Sequence, residues 1–488
     1  MRYRNDPYGM RLPIKLDTAT NGEFEPIPLE AMHHRARRLA LDAATANAKR
    51  LGLSRRAFLV SACGAATTLL GMNDAYAAAN RQGGYYELPS DAALDIYAAR
   101  SALDRNEFIF DVQGHFVNPT GAWTRALPPG AQPLKMFADN NRCVAQSAGT
   151  GLGYLQCLGA DEFIKDIFLD SDTDLIVLSF VPSTRKGEPL TIEEAAETAR
   201  IVEKMQGTHR MLVHGRVNPN QEGDLEGMDA LAERHKISAW KTYTQWGPAG
   251  KGFFLDDDAG IALIEKGRKL GIRNVAVHKG LPFGPQSYEH STCIDVGRVA
   301  KRYPDVNFLI YHSGFVTTKA EGPYDPRRSD GIDALVTSLR DNDVAPGSNV
   351  YAELGSTWRF LMRDPDSAAH ALGKLFKHVG EDNVLWGTDS IWYGSPQDQI
   401  QAFRTFQISE SLADKHGYSR ITPALRAKVF GRNALKIYSI AEDVLKIHLP
   451  RDRVARDRVE YQAHADPSFV TYGPKTRREF LTLKAWAG

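Results

Sequence analysis

The chain has 488 residues, 43% hydrophobic and 24% charged, and its 60 Lys and Arg against 59 Asp and Glu give a formal net charge of +1. Such a composition fits a globular protein, and the charge balance gives no electrostatic reason to expect nucleic acid or an anionic membrane as partner. The length suits one large β/α barrel with extensions as well as several smaller domains, and no stretch after residue 80 is long and apolar enough to span a bilayer.

Residues 1–79 form an N-terminal extension. Ser54-Arg55-Arg56-Ala57-Phe58-Leu59-Val60 is followed by a small-residue, apolar stretch to Met72 and then by Ala75-Tyr76-Ala77. A twin arginine, a weakly hydrophobic run and an A-x-A site in this order read as a twin-arginine (Tat) export signal cleaved near residue 77. An amphipathic start to the folded domain is the alternative. The expectation is export by the Tat machinery to the periplasm or beyond, an oxidising compartment. Cys143 and Cys157 flank a Gly-rich loop, so a disulfide and two free thiols are both open, and no C-x-x-C spacing occurs.

From 80 to 445, short β-rich runs alternate with helix-length amphipathic segments, the pattern of βαβ units on a parallel sheet. Strands are expected over 108–113, 174–181, 210–218, 238–243, 274–278, 307–312, 350–354 and 384–389. Helices are expected over 191–205, 227–235, 258–270, 294–302, 331–340 and 367–379. Eight strands with helices between them give an α/β chain folded as a (β/α)8 TIM barrel. Residues 114–173, after the first strand, read as an inserted lid or small subdomain. Residues 446–488 read as a C-terminal extension that wraps the barrel or a partner subunit.

In a barrel the C-terminal ends of all strands open onto one face. The first strand ends Asp111-Val112-Gln113-Gly114-His115, the fifth at His278, the sixth at His312 and the eighth at Asp389. Gln113 and His115 are two apart and share a face. Three imidazoles and a carboxylate suit a divalent ion of the zinc, manganese or iron type. One such histidine alone is more often structural, but four such residues ending strands of one barrel reverse that judgement. Lys241 ends the fourth strand and is a candidate clamp for a substrate carboxylate, or a carbamylated ligand. Arg216 follows the third strand and suits an anionic substrate. His214 reads as core, and alternation points Lys279 away from His278. Trp246, Trp392 and Tyr393 read as an aromatic wall over the substrate or as packing.

Three segments carry a family resemblance: 295–314 (DVGRVAKRYPDVNFLIYHSG), 383–394 (NVLWGTDSIWYG) and 428–438 (KVFGRNALKIY), with 215–219 (GRVNP) in support. Over about 108–440 the chain resembles the amidohydrolase-related barrels, which include aminocarboxymuconate-semialdehyde decarboxylase, resorcylate-type decarboxylases and C–C or lactone hydrolases. The resemblance implies that His278 and Asp389 bind a divalent metal, zinc first, and that His312 is a catalytic or orienting group. It makes His115 a ligand and puts Gln113 where the family has its first ligand, a neutral and weak replacement. The function implied is an exported metal-dependent hydrolase of a small acidic or aromatic substrate, with Asp389 taking a proton from activated water and His312 stabilising the oxyanion. Decarboxylation with Asp389 supplying the proton is the alternative. A metal-free lactonase clamping substrate with Arg216 and Lys241, and a non-catalytic binding protein, stand behind it. A homo-oligomer is a further expectation from the family.

Overall fold

The structure, a computed structural model, describes the chain apart from residues 1–2, 18, 21–24, 105–106, 127–152, 207–208, 283–286, 472 and 487–488. Eight parallel strands succeed one another around a barrel: β1 (Phe110–Gly114), β2 (Leu175–Leu178), β3 (Met211–Arg216), β4 (Ile237–Tyr243), β5 (Asn274–His278), β6 (Asn307–Tyr311), β7 (Val350–Glu353) and β8 (Val384–Leu385). Each lies inside or within a residue of the run expected for it. The strands are apolar on both faces because both faces are covered. Phe110, Val112, Leu175, Val177, Leu309 and Tyr311 fill the barrel interior. Their neighbours Ile176, Leu178, Phe308 and Ile310 pack outward against the helices. Ala434, Ile437 and Tyr438 complete the interior cluster. His214 is core as expected, fully buried, with Nε2 3.2 Å from the Tyr438 hydroxyl.

β8 is shorter than expected as a ladder, yet the chain beyond it still runs along β1. Val112 N donates to Trp386 O (3.0 Å), Asp389 N to Gln113 O (3.0 Å), His115 N to Ser390 O (2.6 Å) and Ile391 N to His115 O (3.1 Å). This seam joins the first strand to the last. The Asp111 carboxylate reinforces it by accepting from Gln113 N (3.0 Å), Thr388 N (3.1 Å) and the Thr388 hydroxyl.

The N-terminal extension is three helices, α1 (Ala31–Arg50), α2 (Arg55–Val60) and α3 (Ala62–Ala78). Met32, Ala36, Ala40, Ala44 and Ala48 recur every fourth residue and are all buried. Four-residue spacing puts them on one face, and their small size admits α3 closely: a Cβ on Gly71 would stand 3.2 Å from Ala40 N. α3 buries Leu69, Met72, Ala75 and Tyr76 in the same core. The segment read as a cleavable signal is therefore packed: Arg55 and Arg56 open α2, and Ala75-Tyr76-Ala77 lies inside α3. Residues Gly84–Tyr86 then pair antiparallel with Phe406–Ile408.

The C-terminal extension contacts the residue before β3 and the segment before β2. Asp452 pairs with the buried Arg210, and Arg458 donates to Phe168 O and Thr173 O. Of the expected insertion, helical turns at Ala122–Ala126, Gly153–Leu158, Ala160–Ile164 and Lys165–Leu169 are described. Residues 127–152 of this expected 114–173 insertion fall outside the described residues. Cys157 is disulfide-bonded, Cys63 and Cys293 are free and buried, and Cys143 lies outside the described residues. Among the described residues no helix is long and apolar enough to cross a membrane.

Two ion-pair groups allow tests. Lys374 Nζ lies between Glu321 and Asp333 (2.7 Å to the latter), and all three side chains are fully buried. Lys374→Met leaves buried Glu321 without its cation and Asp333 with only Arg328 (3.4 Å), so unfolding in urea should show a loss of about 3–5 kcal/mol. Asp17 binds Arg359 (3.0 Å). Burial raises its pKa, but the Arg359 and Lys475 cations and the Thr471 hydroxyl outweigh this and hold it at about 2. A depressed carboxylate stabilises the fold above its unfolded pKa of about 3.9 and stops doing so as pH falls through its folded value. Asp17→Asn should therefore cost about 2 kcal/mol at pH 7 and little at pH 2, read from urea midpoints across that range.

Candidate active site

The seam between β1 and β8 sets Gln113, His115 and Asp389 side by side at the barrel mouth. Gln113 and His115 leave β1 on the same face. Asp389 faces them because its backbone, at φ 58°, turns out of the strand direction. His312, Ser313 and Ser356 also take positive φ, of 66°, 55° and 53°. Left-handed backbone costs a non-glycine residue about 1–2 kcal/mol, and these residues all follow the ends of β6, β7 and β8.

His115 Nε2 is 3.2 Å from Asp389 Oδ1. Its Nδ1 is 3.0 Å from Ser179 O, which fixes the ring proton on Nδ1. Its Nε2 therefore faces the Asp389 carboxylate. His312 repeats the pattern: Nδ1 is 2.6 Å from Gly355 O, leaving Nε2 bare and 3.2 Å from His278 Nδ1. His278 directs Nδ1 at His312 Nε2 and Nε2 toward Leu281 O (3.4 Å). Each of the two side-chain contacts takes either a ring proton, as an ordinary hydrogen bond, or a cation between its two atoms. Burial pushes the His312 pKa down to about 4 and that of His278 well below the usual range, with the positive charge of Lys241 adding to both shifts. Burial alone would raise Asp389, but His115, His312 and the Ser356 hydroxyl hold it below the usual carboxylate range.

Gln113 Nε2 donates to Asp389 Oδ1 (3.0 Å) and lies 3.4 Å from His115 Nε2. Its buried Oε1 has no hydrogen-bond partner among the described residues. Among the described residues no three His, Cys, Asp or Glu side chains form a ready-made metal cluster. The donors stand instead as two pairs, His115 with Asp389 and His278 with His312.

Lys241 points into the barrel, with Nζ 3.7 Å from the Tyr311 ring centre and 4.7 Å from that of Tyr243. Trp392 stacks on His115 with ring centres 5.6 Å apart, and both line a small enclosed void with Phe180 and Leu190. Arg216 donates to Ser183 O (2.9 Å) and pairs with Glu188, so its guanidinium is engaged in the loop after β2. Lys279 points away from His278, as alternation required, to Asp295 (2.8 Å). A cleft of about 830 Å³ lies away from these residues, beside Lys15, Leu59, Arg210 and Arg404. Both arginines there are engaged with carboxylates.

Sequence reasoning missed three groups. Glu353 ends β7 fully buried, accepting from His312 N (3.0 Å) and Gly355 N (2.6 Å). Burial pushes its carboxyl up to about 8. Asp111 is raised to about 7, again by burial. Ser356 Oγ joins Asp389 Oδ2 to the Tyr393 hydroxyl. The strand-end rule that selected His312 and Asp389 applies equally to Glu353. Its glycine neighbours were a second signal, since a Cβ on Gly387 would stand 1.6 Å from Glu353 Oε1.

Several solved structures resemble the chain. One is 5-carboxyvanillate decarboxylase from Novosphingobium aromaticivorans complexed with manganese, at 13% identity over 69% of this chain and 97% of that one, with a TM-score of 0.44. Another is 2,6-dihydroxybenzoate decarboxylase from Rhizobium, at 14% identity over 68% and 99%, with a TM-score of 0.41. A third is an amidohydrolase from Burkholderia multivorans with bound zinc, at 15% identity over 68% and 100%, with a TM-score of 0.40. No curated protein matches. The amidohydrolase family model matches residues 166–440, more than half of the sequence and seven of the eight strands, with His278, His312 and Asp389 among them, and on that match the chain belongs to the amidohydrolase family.

Proposed function

We propose that the protein is a hydrolase of a small acidic substrate that works with one divalent cation held by His115, His278 and Asp389. The observation that carries this is the convergence of His115 Nε2 on Asp389 Oδ1 (3.2 Å) and of His278 Nδ1 on His312 Nε2 (3.2 Å) at the barrel mouth. The Ser179 carbonyl engages His115 Nδ1, which turns Nε2 toward Asp389, and imidazole with carboxylate suits zinc before manganese or iron. Such an ion supplies Lewis-acid charge that acidifies water and polarises a substrate oxygen.

The protein groups divide the remaining work. Asp389, held ionised and oriented through Oδ2 by Ser356, accepts the proton of the attacking water. His312, neutral with Nε2 bare, faces the same space as a second acceptor. Lys241 places a buried positive charge within reach of both histidines and favours an acidic substrate. Trp392 covers His115 and keeps bulk water from that side. Both strand-end bases accept protons, which suits hydrolysis. Decarboxylation, the second reading, needs a proton delivered to carbon, and Glu353, kept protonated by burial up to about pH 8, favours it.

Metal-replete protein offered lactones, esters and hydroxybenzoates should open or cleave the first two without releasing carbon dioxide. Carbon dioxide from the hydroxybenzoates, with no hydrolysis, would sink the first reading in favour of the second. Elemental analysis should find about one zinc or manganese per chain, and His278→Ala should weaken its binding at least about tenfold. Gly355 supports the same centre, since an added Cβ would stand 2.1 Å from Gln113 Oε1 and 2.5 Å from Glu353 Oε1. Gly355→Ala should therefore displace both and lower metal affinity about 10–100-fold, measured by titration, with far-ultraviolet circular dichroism unchanged.

A further inference from the structure

We propose that residues 12–78, including the twin-arginine segment, stay in the working protein, and that Lys15 is a positioning residue for the loop that carries Asp389. The proposal rests on Asp389 belonging to the site, not on which reaction the site performs.

Lys15 is buried, and its ammonium reaches under that loop. Nζ donates to Tyr393 O (2.8 Å) and Ser395 O (2.7 Å) and pairs with Asp398 (3.3 Å), while the Lys15 backbone N donates to Asp398 Oδ2 (3.2 Å). One cation thus fixes the backbone at 393 and 395 and holds the side chain of Asp398. The Tyr393 hydroxyl meets Ser356 Oγ (2.9 Å), and Ser356 Oγ donates to Asp389 Oδ2 (2.5 Å). A continuous path of hydrogen bonds and one side chain therefore runs from Lys15 through Tyr393 and Ser356 to the Asp389 carboxylate. Arg359, fully buried beneath the Tyr393 ring at 5.7 Å, holds the same stretch of arm by donating to Lys15 O (3.1 Å) and Asp17 O (3.3 Å).

The arm is anchored at its other end by the twin-arginine segment itself. The Arg56 guanidinium is completely buried, donates to Asp466 Oδ1 (3.4 Å) and Pro467 O, lies 3.8 Å from Asp6 and sits over the Phe469 ring at 4.6 Å. Phe58, Leu59, Leu69, Met72, Ala75 and Tyr76 are each at most 1% exposed. Removal through residue 77 would take away Lys15 and Arg56 together. It would also uncover apolar surface on the barrel side, at about 25 cal/mol per Å².

Two measurements test this. Full-length protein with a C-terminal tag, made in a bacterium with active Tat export and signal peptidase, is weighed by intact-mass spectrometry. The expected mass keeps residues 12–78. A folded, soluble product beginning at residue 78 would overturn the proposal. Hydrogen exchange, which needs neither metal nor substrate, is then compared for the full chain, Lys15→Met and Lys15→Arg. Lys15→Met should speed exchange across 389–398 at least tenfold while the barrel strands stay protected, and Lys15→Arg should restore most of the protection. Unchanged exchange in that loop, or loss of protection across the whole barrel with no rescue by arginine, overturns the positioning role. Cobalt(II) titration of the same three proteins gives a separate readout. Lys15→Met should bind about tenfold more weakly, and equal binding by both variants and the parent counts against the proposal. A parent chain that binds no cobalt removes the metal reading and leaves the exchange result to decide this one.

Discussion

The seam between β1 and the chain after β8 is the constraint on which the site depends. A parallel barrel closes only if its first and last strands find register, and here three backbone hydrogen bonds between 113–115 and 389–391 set it. A slip of one residue would turn every side chain to the other face. Gln113 and His115 would then point into the helices, and Asp389 would lose both neighbours. The Asp111 carboxylate guards against such a slip, because it accepts from Thr388 by backbone and hydroxyl only in this register. Closure of the fold and assembly of the candidate site are thus one event.

Strain and burial concentrate where the strands end. Left-handed backbone at His312, Ser313, Ser356 and Asp389 is unfavourable for each residue alone. The surrounding bonds over-determine it: His312 N donates to Glu353, Ser313 Oγ to Glu353 O (2.7 Å) and Thr357 Oγ1 to His312 O (2.9 Å). Glu353 can occupy that position only because Gly355 and Gly387 present no Cβ to it. A carboxyl buried this deeply prefers its neutral form, so the region behind the histidines is kept low in charge while Asp389 carries the negative charge at the front.

Much of this was legible in the sequence, and the rest was not for identifiable reasons. Strands covered on both faces read as short apolar runs, so Val275, Val277, Phe308 and Ile310 announce β5 and β6 directly. The strand-end rule then finds His278, His312 and Asp389 without any partner being known. Glu353 escaped because a lone acid after Val350-Tyr351-Ala352 carries meaning only beside Gly355, Gly387 and the His312 amide. Arg216 read as a free clamp because Glu188, which engages it, lies in a different loop. Gln113 could be placed but not oriented, since which end of an amide faces the site is set by Asp389 across the seam. The N-terminal segment is the sharpest case. A run of alanine, threonine, leucine and glycine serves a signal core and a close-packed helix equally well. The Ala36-Ala40-Ala44 face of α1, against which this run packs, and the tail around Asp466, which meets Arg56, lie too far off in sequence to be read with it.

The two ends of the chain clasp each other. Arg4 N and Asn5 N donate to the Asp466 carboxylate (2.8 and 3.1 Å), and Thr20 N donates to Pro474 O (3.1 Å). Translation runs from the N-terminus, so these partners cannot meet until residues 466–474 have been made. At about 5–20 residues per second, about 20–90 s separate the two. Through that interval α1 and α3 have each other to cover, but not the tail. The last contacts of the arm are therefore made long after its first helix is complete.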